Sequence, residues 1–150
     1  MTEIYVDADA CPVKAEVEKV AGRHNLHVHV VSNGGIRPRH HPLIHTIVVS
    51  EGADAADNWI ADHIQPGDIA ITADIPLAAR CLARGARVLR PNGEPFTKDN
   101  IGTALGMREL HRHLREVTGN QTYNAGFTPR DRSRFLAALE HDIQAIRRTS

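Results

Sequence analysis

Short apolar runs alternate with amphipathic segments along most of this chain, and that alternation limits the fold more than any other feature. Ile4–Val6, Leu26–Val31, Thr46–Val49, Ile69–Thr72 and Val88–Arg90 read as strands. Val13–His24, Ala53–Ile64 and Ile75–Arg84 read as the helices between them. Val13, Val17 and Val20 share one helical face, and Pro66-Gly67 and Gly85 stand where two of the helices stop. Strands separated by helices pair in parallel, because the crossover carries each chain end back to the same side. The expectation is an α/β, three-layer domain spanning residues 1–150.

The last third changes character. Thr97–Val117 reads as a helix with Thr97 as N-cap, followed by a polar loop over Thr118–Thr128. Thr128-Pro129-Arg130-Asp131 then opens a final helix, with Phe135, Leu139, Ile143 and Ile146 on its apolar face.

Bulk charge selects no partner, since 18 basic residues balance 18 acidic ones. Cys11 and Cys81 have no redox or metal spacing, and no apolar run suits a membrane span. A reduced, cytoplasmic, soluble protein without a membrane partner is expected. Aromatic residues make up only 4%, which argues against a base-stacking platform. The ten histidines lack a regular ligand spacing and read as scattered surface residues.

Chemistry concentrates at the ends of the strands. Asp7 and Asp9 close the first strand, and alternate residues of an extended segment point the same way. Two neighbouring carboxylates repel unless a cation or a proton joins them. Asp74 follows the fourth strand, which ends at Thr72, and Asp54 and Asp57 share one face at a helix start. Each has a structural alternative: Asp54 and Asp74 as helix caps, Asp57 as a solvated side chain. Taken together, Asp7, Asp9, Asp54, Asp57 and Asp74 form an oxygen-rich set suited to Mg²⁺ or Mn²⁺, with Asp7, Thr72 and Asp74 as the expected catalytic residues. Lys14, Asn33, Arg130, Arg132 and Arg134 are the expected substrate contacts; the basic loop Arg37–His41 could also meet phosphates, but a solvated face is the favoured reading for it. Arg130 and Arg134 share a helix face that Arg132 does not. Cys11 reads as a small buried thiol.

Several motifs carry a family resemblance. Asp7-Ala8-Asp9-Ala10-Cys11-Pro12-Val13-Lys14, Gly52-Ala53-Asp54-x-Ala56-Asp57, Gly67-Asp68 with Thr72-x-Asp74-Ile75-Pro76-Leu77-Ala78, Thr97-x-x-Asn100-Ile101 and Asp131-Arg132-Ser133-Arg134-Phe135 resemble the YaiI/YqxD family. That family is grouped with the PIN-like nuclease superfamily. The resemblance implies a five-stranded sheet in the order 3-2-1-4-5, an Mg²⁺/Mn²⁺ acidic site and RNA as the substrate class. By position, Asp7 resembles the first acid of PIN-like proteins, Asp54 or Asp57 the mid-chain helical acid, and Thr72 with Asp74 the Thr-x-Asp of the fourth strand.

Three functions compete on the sequence. The first is a metal-dependent ribonuclease-like enzyme. The second is a haloacid-dehalogenase-type phosphatase, with Asp7 as nucleophile, Asp9 as acid/base and Gly67-Asp68…Asp74 as its late acidic motif. Ala10-Cys11 departs from that class's usual Gly-Thr, and no clear Lys motif lies between. The third is a non-catalytic RNA-binding module.

Overall fold

The structure is a computed structural model that describes residues 2–9, 11–34, 41–50, 52, 54–118 and 127–149, the side chains of 111–118 and 149 excepted. The proposed loop residues 35–40, which include Arg37 and Arg39, and the loop residues 119–126 lie outside the described residues.

The elements are β1 (Ile4–Asp7), α1 (Lys14–His24), β2 (Val28–Ser32), β3 (Ile44–Val48), α2 (Ala55–His63), β4 (Ile69–Ile71), α3 (Ile75–Ala83), β5 (Arg87–Leu89), β6 (Pro95–Phe96), α4 (Ile101–Thr118) and α5 (Pro129–Thr149). The sheet order is β3-β2-β1-β4-β5-β6. The first five strands are parallel and stand in the expected order, while β6 pairs antiparallel with β5. β6 corrects the five-strand expectation. The Pro91-Asn92-Gly93 stretch does not end the sheet; it turns the chain back, with Gly93 at φ +89°.

The period of two along each strand splits the core into two layers. Ile4, Val6, Val28, Val30, Ile69 and Ile71 face α1 and α5, where Val17, Val20, Phe135, Leu139 and Ile143 meet them. Tyr5, Val31, Ala70 and Val88 face α2 and α3, where Ile60, Leu77 and Cys81 are buried. Among the described side chains, α4 contributes Ile101 and Ala104 to this second layer. Thr97 caps its start as expected: Thr97 N–H donates to Asn100 Oδ1 at 2.9 Å, Asn100 N–H to Thr97 Oγ1 at 3.2 Å, and Ile101 N–H to the Thr97 carbonyl at 2.9 Å. That closed turn precedes the first helical residue.

α5 runs alongside α1 in the same direction. Arg132 near its start pairs with Glu16 near the start of α1, and Glu140 farther along pairs with His24 at the end of α1. The N-terminus of α5 therefore stands at the rim where the parallel strands end. A capping box fixes it there: Thr128 N–H donates to Asp131 Oδ2 at 3.0 Å and Asp131 N–H to Thr128 Oγ1 at 3.1 Å. No helix of the described residues is long and apolar enough to cross a membrane.

Candidate acidic site

In an open parallel sheet the carboxyl ends of the strands form the natural cleft. Here a cavity of about 290 Å³ opens at that rim, lined by Asp7, Asp9, Cys11, Asp57, Thr72, Ala73, Asp74 and Pro91. β1 supplies Asp7 as its last residue, the β1–α1 turn supplies Asp9 and Cys11, and the first turn of α2 supplies Asp57.

Thr72 organises the centre. Its hydroxyl donates to Asp7 Oδ2 at 2.9 Å and accepts from the Asp74 backbone N–H at 3.0 Å. Asp74 is the N-cap of α3, its Oδ1 accepting from Leu77 N–H at 2.8 Å. The capping alternative for Asp74 is thus realised, and the same side chain also lines the cavity. Asp9 is exposed and takes a 3.3 Å bond from the buried Ser32 hydroxyl.

The carboxylates feel one another. Burial holds Asp7 above its ordinary carboxylate range, and Asp9 and Asp74 push the same way, while the Thr72 hydroxyl and the Asp9 backbone N–H oppose them. Asp57 is pushed up to about 6, first by burial and then by Asp74, Asp7 and Asp54, with Arg80 opposing. Among the described residues no ion pair reaches Asp7, Asp9, Asp57 or Asp74. Of the two mid-chain acids, Asp57 lines the cavity; Asp54 is exposed at the N-cap position of α2 and makes no side-chain cap bond.

The donor set consists of carboxylate and hydroxyl oxygens beside a Cys11 thiol that burial keeps protonated. That chemistry suits a hard divalent cation. A ready-made shell is absent: among the described residues no three His, Cys, Asp or Glu side chains are grouped so as to hold a metal ion.

None of the five expected substrate contacts lines this cavity. Lys14 is half-buried at the first position of α1, near enough to Cys11 to favour its thiolate. Asn33 is exposed just beyond β2. Arg132 is committed elsewhere, with its Nε 2.9 Å from Glu16 Oε1 and its guanidinium 5.4 Å from the centre of the Phe127 ring. Glu16 is one of the charges that act on Cys11, so this pair flanks the site without entering it. Arg130 and Arg134 are exposed on the first turns of α5. The residues that sequence reasoning missed are Ser32 and Pro91, together with the place of Cys11 in the wall. Ser32 reaches Asp9 only through the β1–β2 register, in which Asp7 stands beside Val31.

Two further corrections follow. Asp68, part of the phosphatase-like motif, precedes β4 at the opposite end of the sheet. There it accepts bonds from Glu3 N–H at 3.0 Å and Gln65 N–H at 2.9 Å. That role is structural, and it separates Asp68 from Asp74 by the length of the strand. The histidines are not simply scattered either, since His27, His29, His45 and His63 gather around Tyr5 and Trp59.

Fold and cavity together define an α/β protein with a carboxylate-rich pocket at the strand ends of a mainly parallel sheet. The chain belongs to the YaiI/YqxD family: the model described as "Uncharacterized BCR, YaiI/YqxD family" matches residues 5–145. It is 59% identical over 148 residues to a UPF0178 protein of Parvibaculum lavamentivorans, covering 99% of this chain and 97% of the relative. A UPF0178 protein of Mesorhizobium japonicum is 60% identical over 141 residues, covering 94% and 91%. One of Ruegeria pomeroyi is 55% identical over 150 residues, covering 99% and 97%. No solved structure matches the chain.

Proposed function

We propose that this protein is a PIN-like, divalent-metal-dependent phosphodiester hydrolase of the cytoplasm, acting on RNA. One observation carries the reading: Asp7, Asp57 and Asp74 line a single cavity in which their charges oppose one another, and among the described residues no cationic side chain forms an ion pair with them. Such an arrangement is costly for folding alone and is expected where a cation binds. Asp7, Asp57 and Asp74 would hold Mg²⁺ or Mn²⁺, drawing inward to do so, with Asp9 at the exposed edge. When bound, the ion would supply charge for a phosphoryl oxygen and lower the pKa of a water. Thr72 keeps one oxygen of Asp7 fixed at the cavity wall. Arg130 and Arg134, exposed on the turn of α5 that stands at the same rim, would meet the phosphates of a bound strand. Arg132, held by Glu16, would stiffen that wall.

The test is cleavage of labelled single- and double-stranded RNA and DNA by metal-stripped protein to which Mn²⁺ or Mg²⁺ is returned. RNA cleavage is expected with metal, and Asp7→Asn or Asp74→Asn should reduce it by at least about 100-fold, the scale of losing charge stabilisation at a reacting centre. A wild-type protein that binds no divalent ion by calorimetry sinks the reading. A phosphoaspartate trapped at Asp7 would replace it with the phosphatase. RNA binding indifferent to EDTA and without turnover would replace it with a binding module.

A further inference from the structure

On the α2 side of the sheet, away from the acidic cavity, six rings touch in series. The parallel register sets His29 beside Tyr5 and His45 beside His29. Tyr5 and His29 stack at 4.7 Å, His29 and His45 at 5.2 Å, and His45 and His27 at 5.1 Å. Trp59 of α2 leans on Tyr5 and His29, and His63 stacks on Trp59 at 3.9 Å. At the outer end, Nδ1 of His27 lies 2.9 Å from Nε2 of His45. Two imidazole nitrogens at that distance share one proton as N–H···N, which requires at least one neutral ring.

The bond joins the residue just before β2 to the middle of β3. Among the described residues β3 pairs with β2 alone, so it is an edge strand. Its core anchors are few: Ile44 is buried, Ile47 partly so, and Val48 is 59% exposed. The charged groups facing His45 are unbalanced. Glu3, the residue before β1, is the carboxylate that favours its protonation, and it is already bonded to His29 Nε2 at 2.6 Å; His27 and His29 oppose it. From α2, Trp59 stands against His29, with the exposed His63 stacked behind it.

We infer that the His27–His45 contact makes the β3 edge an acid-sensitive latch: it holds β3 while one ring is neutral and releases it when both rings are protonated. Burial, together with His29 and His27, holds His45 below its ordinary value, so the closed strand resists the second proton. The opened strand therefore takes up that proton first, and the closed form loses ground as pH falls through about 6.5. Release would reach the acidic site, because Val49 N–H donates to the Ser32 carbonyl at 2.9 Å and the Ser32 hydroxyl bonds Asp9.

Amide hydrogen exchange of the full chain at pH 7.5 and pH 5.5, corrected for the intrinsic pH dependence of exchange, tests the latch. Peptides covering β3 should exchange about tenfold faster at the lower pH, with β1 and β4 unchanged. The double variant His27→Gln/His45→Gln should lose that difference. Equal β3 protection at the two pH values, or a difference that survives in the double variant, overturns the inference. If the double variant does not fold, imidazole ¹⁵N spectra of the wild type decide. Two coupled titration steps support the shared proton, and two independent ordinary titrations overturn it.

Discussion

Asp57 stands on the first turn of a helix, where a negative charge is ordinarily favourable, yet its carboxyl is pushed up to about 6. Burial and three neighbouring aspartates outweigh the helix and Arg80. The sign of the consequence is definite. A carboxyl whose pKa is higher folded than unfolded weakens the fold as pH rises, beginning near the unfolded value of about 4 and complete above about 6. Asp57→Asn should therefore raise metal-free stability at pH 7.5 by about 1 kcal/mol, a figure reduced for its partial exposure, with no gain at pH 4. Urea midpoints at the two pH values read this directly. A loss of stability at pH 7.5 would mean that Asp57 has a structural partner. The centre of the site was legible because Asp7, Thr72 and Asp74 follow apolar strands, and strand ends of a parallel sheet converge. Choosing Asp57 over Asp54 was not, since both lie at the same helix start and only the packing of α2 decides which one turns inward. Nor was the fate of Arg132, because its partner Glu16 is brought to it by α5 lying along α1.

At the scale of elements, the wall of the site depends on a close approach that no pattern of apolar residues reveals. The β5–β6 turn rests on the second turn of α5. A Cβ on Gly93 would lie 2.6 Å from the Arg134 carbonyl carbon and 2.7 Å from its oxygen, and Gly93 also has φ +89°. Backbone cannot yield as a side-chain tip can. Gly93→Ala should cost about 2–4 kcal/mol, from strain at positive φ plus displacement of the helix. A lowered urea midpoint checks it, together with faster amide exchange at the start of α5 in the variant. A loss below about 0.5 kcal/mol would show that the helix is not seated there. The parallel strands and their helices were readable because each obeys its own period and ends at a turn residue. The two-residue β6 was not, because Pro95 and Phe96 are too few to show a period of two. The start of α4 was readable for a local reason: Thr97 has the chemistry of an N-cap and uses it on the Asn100 N–H.

Across the whole molecule 18 basic residues balance 18 acidic ones, so no bulk field gathers cations. Local repulsion at the strand ends is therefore the property that a divalent ion would relieve. An ion that binds the folded chain alone stabilises it by about 2.7 kcal/mol at 100 times its dissociation constant. For a chain of this size that corresponds to a rise in Tm of roughly 5–10 °C. Mn²⁺ should produce such a saturable rise in metal-stripped protein, and Asp7→Asn, Asp57→Asn and Asp74→Asn should each remove most of it. Asp54→Asn, exposed at the same helix start, and Asp62→Asn, exposed in the last turn of α2, should keep it. The contrast between Asp54 and Asp57 makes the measurement specific. Both variants remove one charge from the start of α2, so a diffuse electrostatic effect would diminish equally in the two. A shift that falls only with Asp57 locates the ion in the cavity. An equal fall in both, or a shift unchanged by Asp7→Asn, places the ion on the general surface and leaves the strand-end acids without a cation to explain them.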